Sequence, residues 1–211
     1  VIKEIFPDLY WLRSENNASQ TPFTYLLRRP AGNVLLGTKE DISSLAGELK
    51  SLGGITAVLL GDRHHALPSS AAFAHSMGTK LAASDIEAKA LKRAGVEVGQ
   101  PLRHARAWFA EDLEIIPTPG HTPGAFSYVW TKGKRRFLFI GDTLVPNHGA
   151  WDVYITRPNR DKMVRTIKLL STVNFDVILS NSFACAPLAW HEVTPKARSQ
   201  LLSDTLEALL A

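Results

Sequence analysis

The 211-residue chain holds a single cysteine, Cys185, and no apolar run near the roughly 18 residues that a membrane helix requires. One thiol excludes an intramolecular disulfide framework and fits a reducing compartment, so a cytoplasmic location is expected. With no activating neighbour in sequence, Cys185 reads as a buried apolar residue. No low-complexity tract, linker or short-period repeat breaks the sequence. One domain over 1–211, or two fused halves sharing an interior, is therefore expected. Val1–Tyr10 mixes Lys3, Glu4 and Asp8 with apolar residues and does not read as a signal peptide. The charge is only mildly basic, +4 from 24 Lys and Arg against 20 Asp and Glu. The one basic cluster, Lys132, Lys134, Arg135 and Arg136, reads as a solvated hairpin turn. A nucleic-acid surface would need a basic stripe with stacking aromatics, which the sequence lacks.

What is present is an apolar fraction of 45 % in short, well-punctuated segments. Val34–Leu36 and Ile55–Leu60 read as buried strands bounded by glycines. Between them a helix is expected from Asp41, with Ile42, Leu45, Leu49 and Leu52 on one face. A second helix is expected over 68–77, a short strand over Lys80–Ala83, and a third helix from the capping box Ser84-Asp-Ile-Glu87 toward Gly95. The middle is β-rich, with strands at Leu113–Pro117, Phe126–Trp130 and Arg136–Ile140. Asn159 then caps a helix burying Met163, Ile167 and Leu170, and Val177–Leu179 makes the last strand. Thr194 and Pro195 open a terminal helix with Leu201, Leu202, Leu206 and Leu209 as its stripe. Strands in both halves, with helices to cover two outer faces, predict a layered α/β sandwich.

Four segments place polar residues directly after an apolar strand, where loops of layered α/β proteins converge into sites. They are Leu59-Leu-Gly-Asp-Arg-His-His, Ile116-Pro-Thr-Pro-Gly-His-Thr-Pro-Gly, Phe139-Ile-Gly-Asp-Thr and Leu179-Ser-Asn-Ser. Strand-end histidines, a Thr-Pro-Gly-His-Thr-Pro-Gly loop and then Gly-Asp-Thr, in that order, resemble the metallo-β-lactamase superfamily. The likeness spans nearly the whole chain, with Phe23–Gly37 similar to the family's first hairpin and 175–183 to its last strand.

The resemblance implies a four-layer αββα sandwich with a one- or two-metal rim site that activates water. The family's His-x-His-x-Asp-His motif falls on Asp62-Arg63-His64-His65-Ala66-Leu67. His64 matches its second histidine, and Asp62 replaces the first with another group able to ligate. Ala66 and Leu67 replace the motif aspartate and third histidine with groups that cannot. His121 matches the loop histidine and Asp142 the bridging aspartate. The final family histidine falls near Ser182, and the hairpin's strand-end aspartate is replaced by Gly37. A metal set of Asp62, His64, His121 and Asp142 follows, suited to one divalent ion, zinc first with iron or manganese as alternatives. The second metal position has lost its ligands, so two-metal hydrolysis is not expected.

Each residue also has a structural reading. Asp62 fits a helix cap or a partner for Arg63, Asp142 fits hydrogen bonding to loop amides, and His121 fits a relic in a tight Gly/Pro loop. His64 and His65 are adjacent and point different ways. His64 is expected to face the site, with His65 at the surface or in a supporting position. His75, His104 and His191 read as ordinary histidines, and so does His148, which could also line the pocket. Two functions stay open. One is a one-metal hydrolase of an ester, thioester, lactone or phosphoester, with Asp142 or His65 as proton acceptor. The other is a protein with no metal that binds a small-molecule ligand or a partner in the retained cleft. Nothing in the sequence bears on oligomeric state.

Overall fold

The computed structural model describes residues 1–13, 23–38, 41–147, 150–182 and 189–211. Cys185 and His148 lie outside them. The chain divides into two compact units, Val1–Arg103 and His104–Ala211.

The first unit is a seven-stranded sheet in sequence order, flanked by three helices. It begins with strands that the sequence reading did not anticipate, β1 (Ile2–Phe6) and β2 (Leu9–Leu12). The predicted hairpin follows as β3 (Thr24–Leu27) and β4 (Val34–Leu36), paired antiparallel. Three parallel crossovers complete the unit through α1 (Ala46–Ser51), β5 (Ala57–Leu59), α2 (Ser70–Ser76), β6 (Leu81–Ser84), α3 (Asp85–Arg93) and β7 (Gln100–Leu102). Asp41 does not begin an α-helix. Its Oδ1 accepts bonds from the amide (3.0 Å) and hydroxyl (2.6 Å) of Ser43, and a 3-10 turn over Ser43–Leu45 leads into α1. A short side chain that captures backbone two residues on favours such a turn over a regular helical start. Ser84 caps α3 as expected, accepting from the Ile86 amide.

Alternate strand residues explain the layering. Leu26, Leu35 and Val58 pack with Leu45, Leu49, Phe73 and Leu91 of the helical layer. Their neighbours Tyr25, Leu27, Val34, Leu36 and Leu59 point to the opposite face and are buried too. A sheet apolar on both faces is an inner layer.

The second unit repeats this logic. Its six-stranded sheet has the order β15-β14-β11-β10-β9-β8. The strands are β8 (Ala107–Ala110), β9 (Leu113–Pro117), β10 (Phe126–Lys132), β11 (Arg135–Gly141), β14 (Val177–Ser180) and β15 (Trp190–Glu192). The Lys-Gly-Lys turn joins β10 and β11. A separate two-stranded hairpin comprises β12 (Val145–Asn147) and β13 (Ala150–Asp152). Val177–Leu179 is therefore not the last strand, because β15 returns antiparallel beside it. Three residues ending in a charge give too short a pattern to read as β. Helices α4 (Arg160–Leu170) and α5 (Pro195–Leu210) carry the predicted stripes. Met163, Ile167 and Leu170 are wholly buried against Ile116, Val129, Leu138 and Ile178, each contributing about 1.5–3 kcal/mol of transfer free energy. Asn159 precedes α4 but makes no side-chain cap bond, since a 3-10 turn over Arg157–Asn159 leads in instead. No helix of the described residues is long and apolar enough to cross a membrane.

Candidate metal centre

Each unit presents one histidine–carboxylate pair where a sheet strand runs out. In the first unit β5 ends at Leu59, and Asp62 opens a 3-10 turn over Arg63–His65. Asp62 Oδ1 accepts from the His64 amide at 2.7 Å and stands 3.4 Å from His64 Nδ1. The capping role considered for Asp62 is thus real. The pairing considered with Arg63 is not made. Arg63 Nε turns to Glu87 on α3 instead, 3.2 Å from Oε2.

The two adjacent histidines separate as expected for neighbours on a tight turn. The His64 side chain is 48 % exposed, whereas His65 is buried. Burial removes His65 from the surface and leaves the supporting position. Its carbonyl accepts from the Thr38 amide (2.8 Å) and hydroxyl (3.3 Å), which stitches the turn to the end of β4.

The next two motif positions have become structural. Ala66 forms a parallel bridge to Thr38, and the Leu67 amide donates to Ser70 Oγ at 2.8 Å. Ser70 Oγ also accepts from Thr38 Oγ1 at 2.7 Å. Where the resembled motif carries an aspartate and a histidine, this chain has a closed hydroxyl network at the start of α2.

In the second unit β9 leads into the loop Thr118–Gly124, which returns to β10 with Thr118 N donating to Ala125 O at 2.8 Å. Helix α4 holds this loop from behind. Thr166 Oγ1 donates to Pro119 O at 2.6 Å, and Gly120 passes so near Met163 that a Cβ would stand 2.8 Å from its Cε. Glycine is what allows that approach. His121 Nδ1 lies 2.8 Å from the carbonyl oxygen of Tyr154. Only a protonated Nδ1 can donate there, so the neutral ring carries its lone pair on Nε2. Nε2 faces Asp142, 3.7 Å from Oδ2. Asp142 follows β11 through Gly141, whose φ of +60° suits a residue without Cβ. Ser180 Oγ fastens the same turn by donating to Gly141 O at 2.8 Å. A buried hydroxyl chain spans the two loops, with Thr143 Oγ1 donating to Thr118 Oγ1 (3.4 Å) and Thr118 bonded to Ser127 (3.0 Å). Ser182, at the position of the family's last histidine, is buried and bonds its amide to Ser180 Oγ.

Each pair offers one imidazole and one carboxylate, donor types that suit a borderline divalent ion. A ligating histidine usually donates its far ring N–H to a carbonyl or carboxylate, and His121 does this through Tyr154. That hydrogen bond had no sequence signal, because its acceptor is a backbone atom thirty-three residues away. Two other histidines have structural partners. His104 Nε2 contacts Ala125 O at 3.1 Å, with its ring tilted against Phe126, and His191 accepts from Trp151 Nε1 at 3.1 Å.

No protein-family model matches the sequence, and no curated protein matches it. Solved structures do. A metallo-β-lactamase of Cronobacter sakazakii with a HARLDQ motif superposes with a TM-score of 0.67 at 16 % identity, covering 99 % of this chain and 96 % of that one. BJP-1, a subclass B3 metallo-β-lactamase of Bradyrhizobium japonicum, gives 0.68 at 16 % identity over 98 % and 91 %. MIM-1 from Novosphingobium pentaromativorans gives 0.70 at 14 % identity over 99 % and 88 %. The chain has the metallo-β-lactamase fold.

Proposed function

We propose that this chain is a hydrolase of the metallo-β-lactamase fold in which Asp62, His64, His121 and Asp142 together hold one divalent cation. The observation that carries the reading is the bond from His121 Nδ1 to the Tyr154 carbonyl. It commits the ring to the tautomer whose Nε2 accepts a cation, beside a carboxylate. The pair Asp62–His64 repeats that donor chemistry after a strand of the first unit, and the order of the motifs along the chain supports joining the two pairs. A cation so held would polarise an ester, thioester, lactone or phosphoester and lower the pKa of water. Asp142 would accept the proton, and Asp62 would hold its turn closed through the His64 amide. His65, buried, would support the turn from beneath. Zinc is the first expectation for this donor set, with iron and manganese as alternatives.

One ion per chain is the proposed limit, since Ala66 and Leu67 offer no donor and the Ser182 amide is tied to Ser180. A HARLDQ sequence likewise departs from His-x-His-x-Asp-His at two histidines, in a protein still described as a metallo-β-lactamase.

A second reading is favoured by the closed Thr38–Ser70–Leu67 network. It is a cleft-binding protein without metal, in which hydroxyl bonding has replaced the lost ligands. Elemental analysis of chain purified without chelator separates the two, together with ester, thioester, lactone and phosphoester panels run with and without added metal. One ion per chain, lost in His121→Ala, supports the hydrolase. Two tightly held ions overturn the single-ion limit, and none overturns the metal site.

A further inference from the structure

We propose that Arg13, its guanidinium set over Phe23 and Trp11, binds the carboxylate of an elongated substrate whose scissile group lies at the Asp62–His64 turn. This rests on the hydrolase reading above. Strand register in the first unit places both features on one rim. Trp11, Tyr25, Leu36 and Leu59 pair in turn across β2, β3, β4 and β5. Arg13 stands two residues beyond that row along β2, and Phe23 two residues before it along the antiparallel β3. Asp62 stands three residues beyond it along β5, which runs parallel to β4. All three therefore leave the sheet at the same end. Three strand spacings, roughly 14 Å in all, separate β2 from β5.

The Arg13 Cζ lies 4.1 Å from the Phe23 ring centroid and 5.3 Å from that of Trp11. Trp11 meets Phe23 edge-on at 5.9 Å, and Phe23 stacks on Tyr25 at 6.2 Å. Rings beneath a guanidinium hold its flat face and leave its in-plane N–H groups to fork an oxyanion. Arg13 is half-buried, and of its three guanidinium nitrogens only Nε is both buried and unbonded. The Nη1 and Nη2 end is left to receive a ligand. No carboxylate pairs with Arg13 among the described residues. Tyr25 does not serve as counter-ion, because burial holds its phenol well above its ordinary pKa, with the Arg13 charge opposing only in part. One cation beside the buried Phe23 and Tyr25 matches the single charge of a carboxylate. A phosphate monoester, with nearly two charges, would call for a second cation.

Binding is read first in metal-free chain, from the Arg13 Nε–H NMR resonance titrated with octanoate, octyl phosphate and octanamide. Octanoate should move that resonance saturably, octyl phosphate more weakly and octanamide not at all. Hydrolysis is read next in zinc-loaded chain, on the mono-p-nitrophenyl ester of sebacic acid and on its uncharged, methyl-capped counterpart. The ten-carbon chain spans most of the distance between the two features. The charged half-ester should have the higher kcat/KM, and Arg13→Gln should cut that preference about 10- to 100-fold, the net worth of a charged hydrogen bond. Arg13→Lys keeps the charge but loses the fork, and should cut it by less. If octanoate leaves the resonance unmoved, or octyl phosphate or octanamide binds as tightly, the carboxylate site is overturned. Equal kcat/KM for the two esters, or a preference unchanged in Arg13→Gln, overturns its part in substrate binding. If neither ester is hydrolysed while octanoate still moves the resonance, the hydrolase reading fails and the carboxylate site stands.

Discussion

Substituting alanine for Gly120 tests whether α4 sets the height of the His121 loop. The new Cβ would stand 2.8 Å from Met163 Cε, 3.1 Å from its Sδ and 3.2 Å from its Cα. The thioether tip can rotate away, but the Cα belongs to a helix whose Met163, Ile167 and Leu170 are wholly buried. Relief must come from a shift of the loop by a few tenths of an ångström. Overpacking of this kind costs about 1–3 kcal/mol. For a chain of this size that is a fall in melting temperature of roughly 2–12 °C. The loop is also tied at Thr118 N–Ala125 O and at His121 Nδ1–Tyr154 O, both 2.8 Å. Displacement therefore strains the bond that orients the His121 ring. Thermal melts and zinc titrations of Gly120→Ala should show both losses, with affinity weakened about ten-fold or more. Trimming the side chain in G120A/M163A should not recover affinity, because the 3.2 Å approach to the Met163 Cα remains, and stability should fall further as a cavity opens. A Gly120→Ala chain with wild-type melting and wild-type affinity would refute the claim that α4 positions His121.

Other expectations follow from single contacts. Asp62→Asn should keep the cap on the His64 amide and most of the stability while weakening metal binding. Asp62→Ala should lose both, with about 0.5–2 kcal/mol from the cap, as read by melting and elemental analysis. Because a second carboxylate neutralises part of the cation's charge, hydrolysis should rise with pH, and Asp62→His should raise it near neutrality. If Asp62→Ala and Asp62→His leave both metal content and activity unchanged, the residue is a cap alone. Ser70→Ala should cost about 1–3 kcal/mol in urea denaturation, since it strips a partner from the Leu67 amide and the Thr38 hydroxyl; an unchanged midpoint would mean that this network is dispensable. Burial lowers the His191 pKa below its ordinary 6.5, and Trp151 donates to the neutral ring. The unfolded chain then takes the proton first, so this contribution is complete above pH 6.5 and is lost as pH falls toward the folded pKa. Melting curves from pH 7 to 5 should slope downward, and His191→Leu should flatten part of that slope.

Periodicity and punctuation determined most of the scaffold. Val34–Leu36, Leu113–Pro117 and the stripes of α4 and α5 were legible because their apolar spacing fits one backbone geometry, and strand-ending polar motifs marked where a site could lie. The edges were less legible. β1, β7, β8 and β15 are short or half-exposed, so their apolar pattern is weak even where the paired strand is close in sequence, as β2 is to β1 and β9 to β8. At the candidate centre the sequence alone determined which donor types survive and which are lost. Only tertiary structure decided their partners. Asp62 caps its own turn, Arg63 leaves it for Glu87, and the Tyr154 carbonyl chooses the His121 tautomer. Each of these rests on a hydrogen bond or ion pair whose energy depends on ångström-scale placement, and local residue patterns do not encode placement across tens of residues.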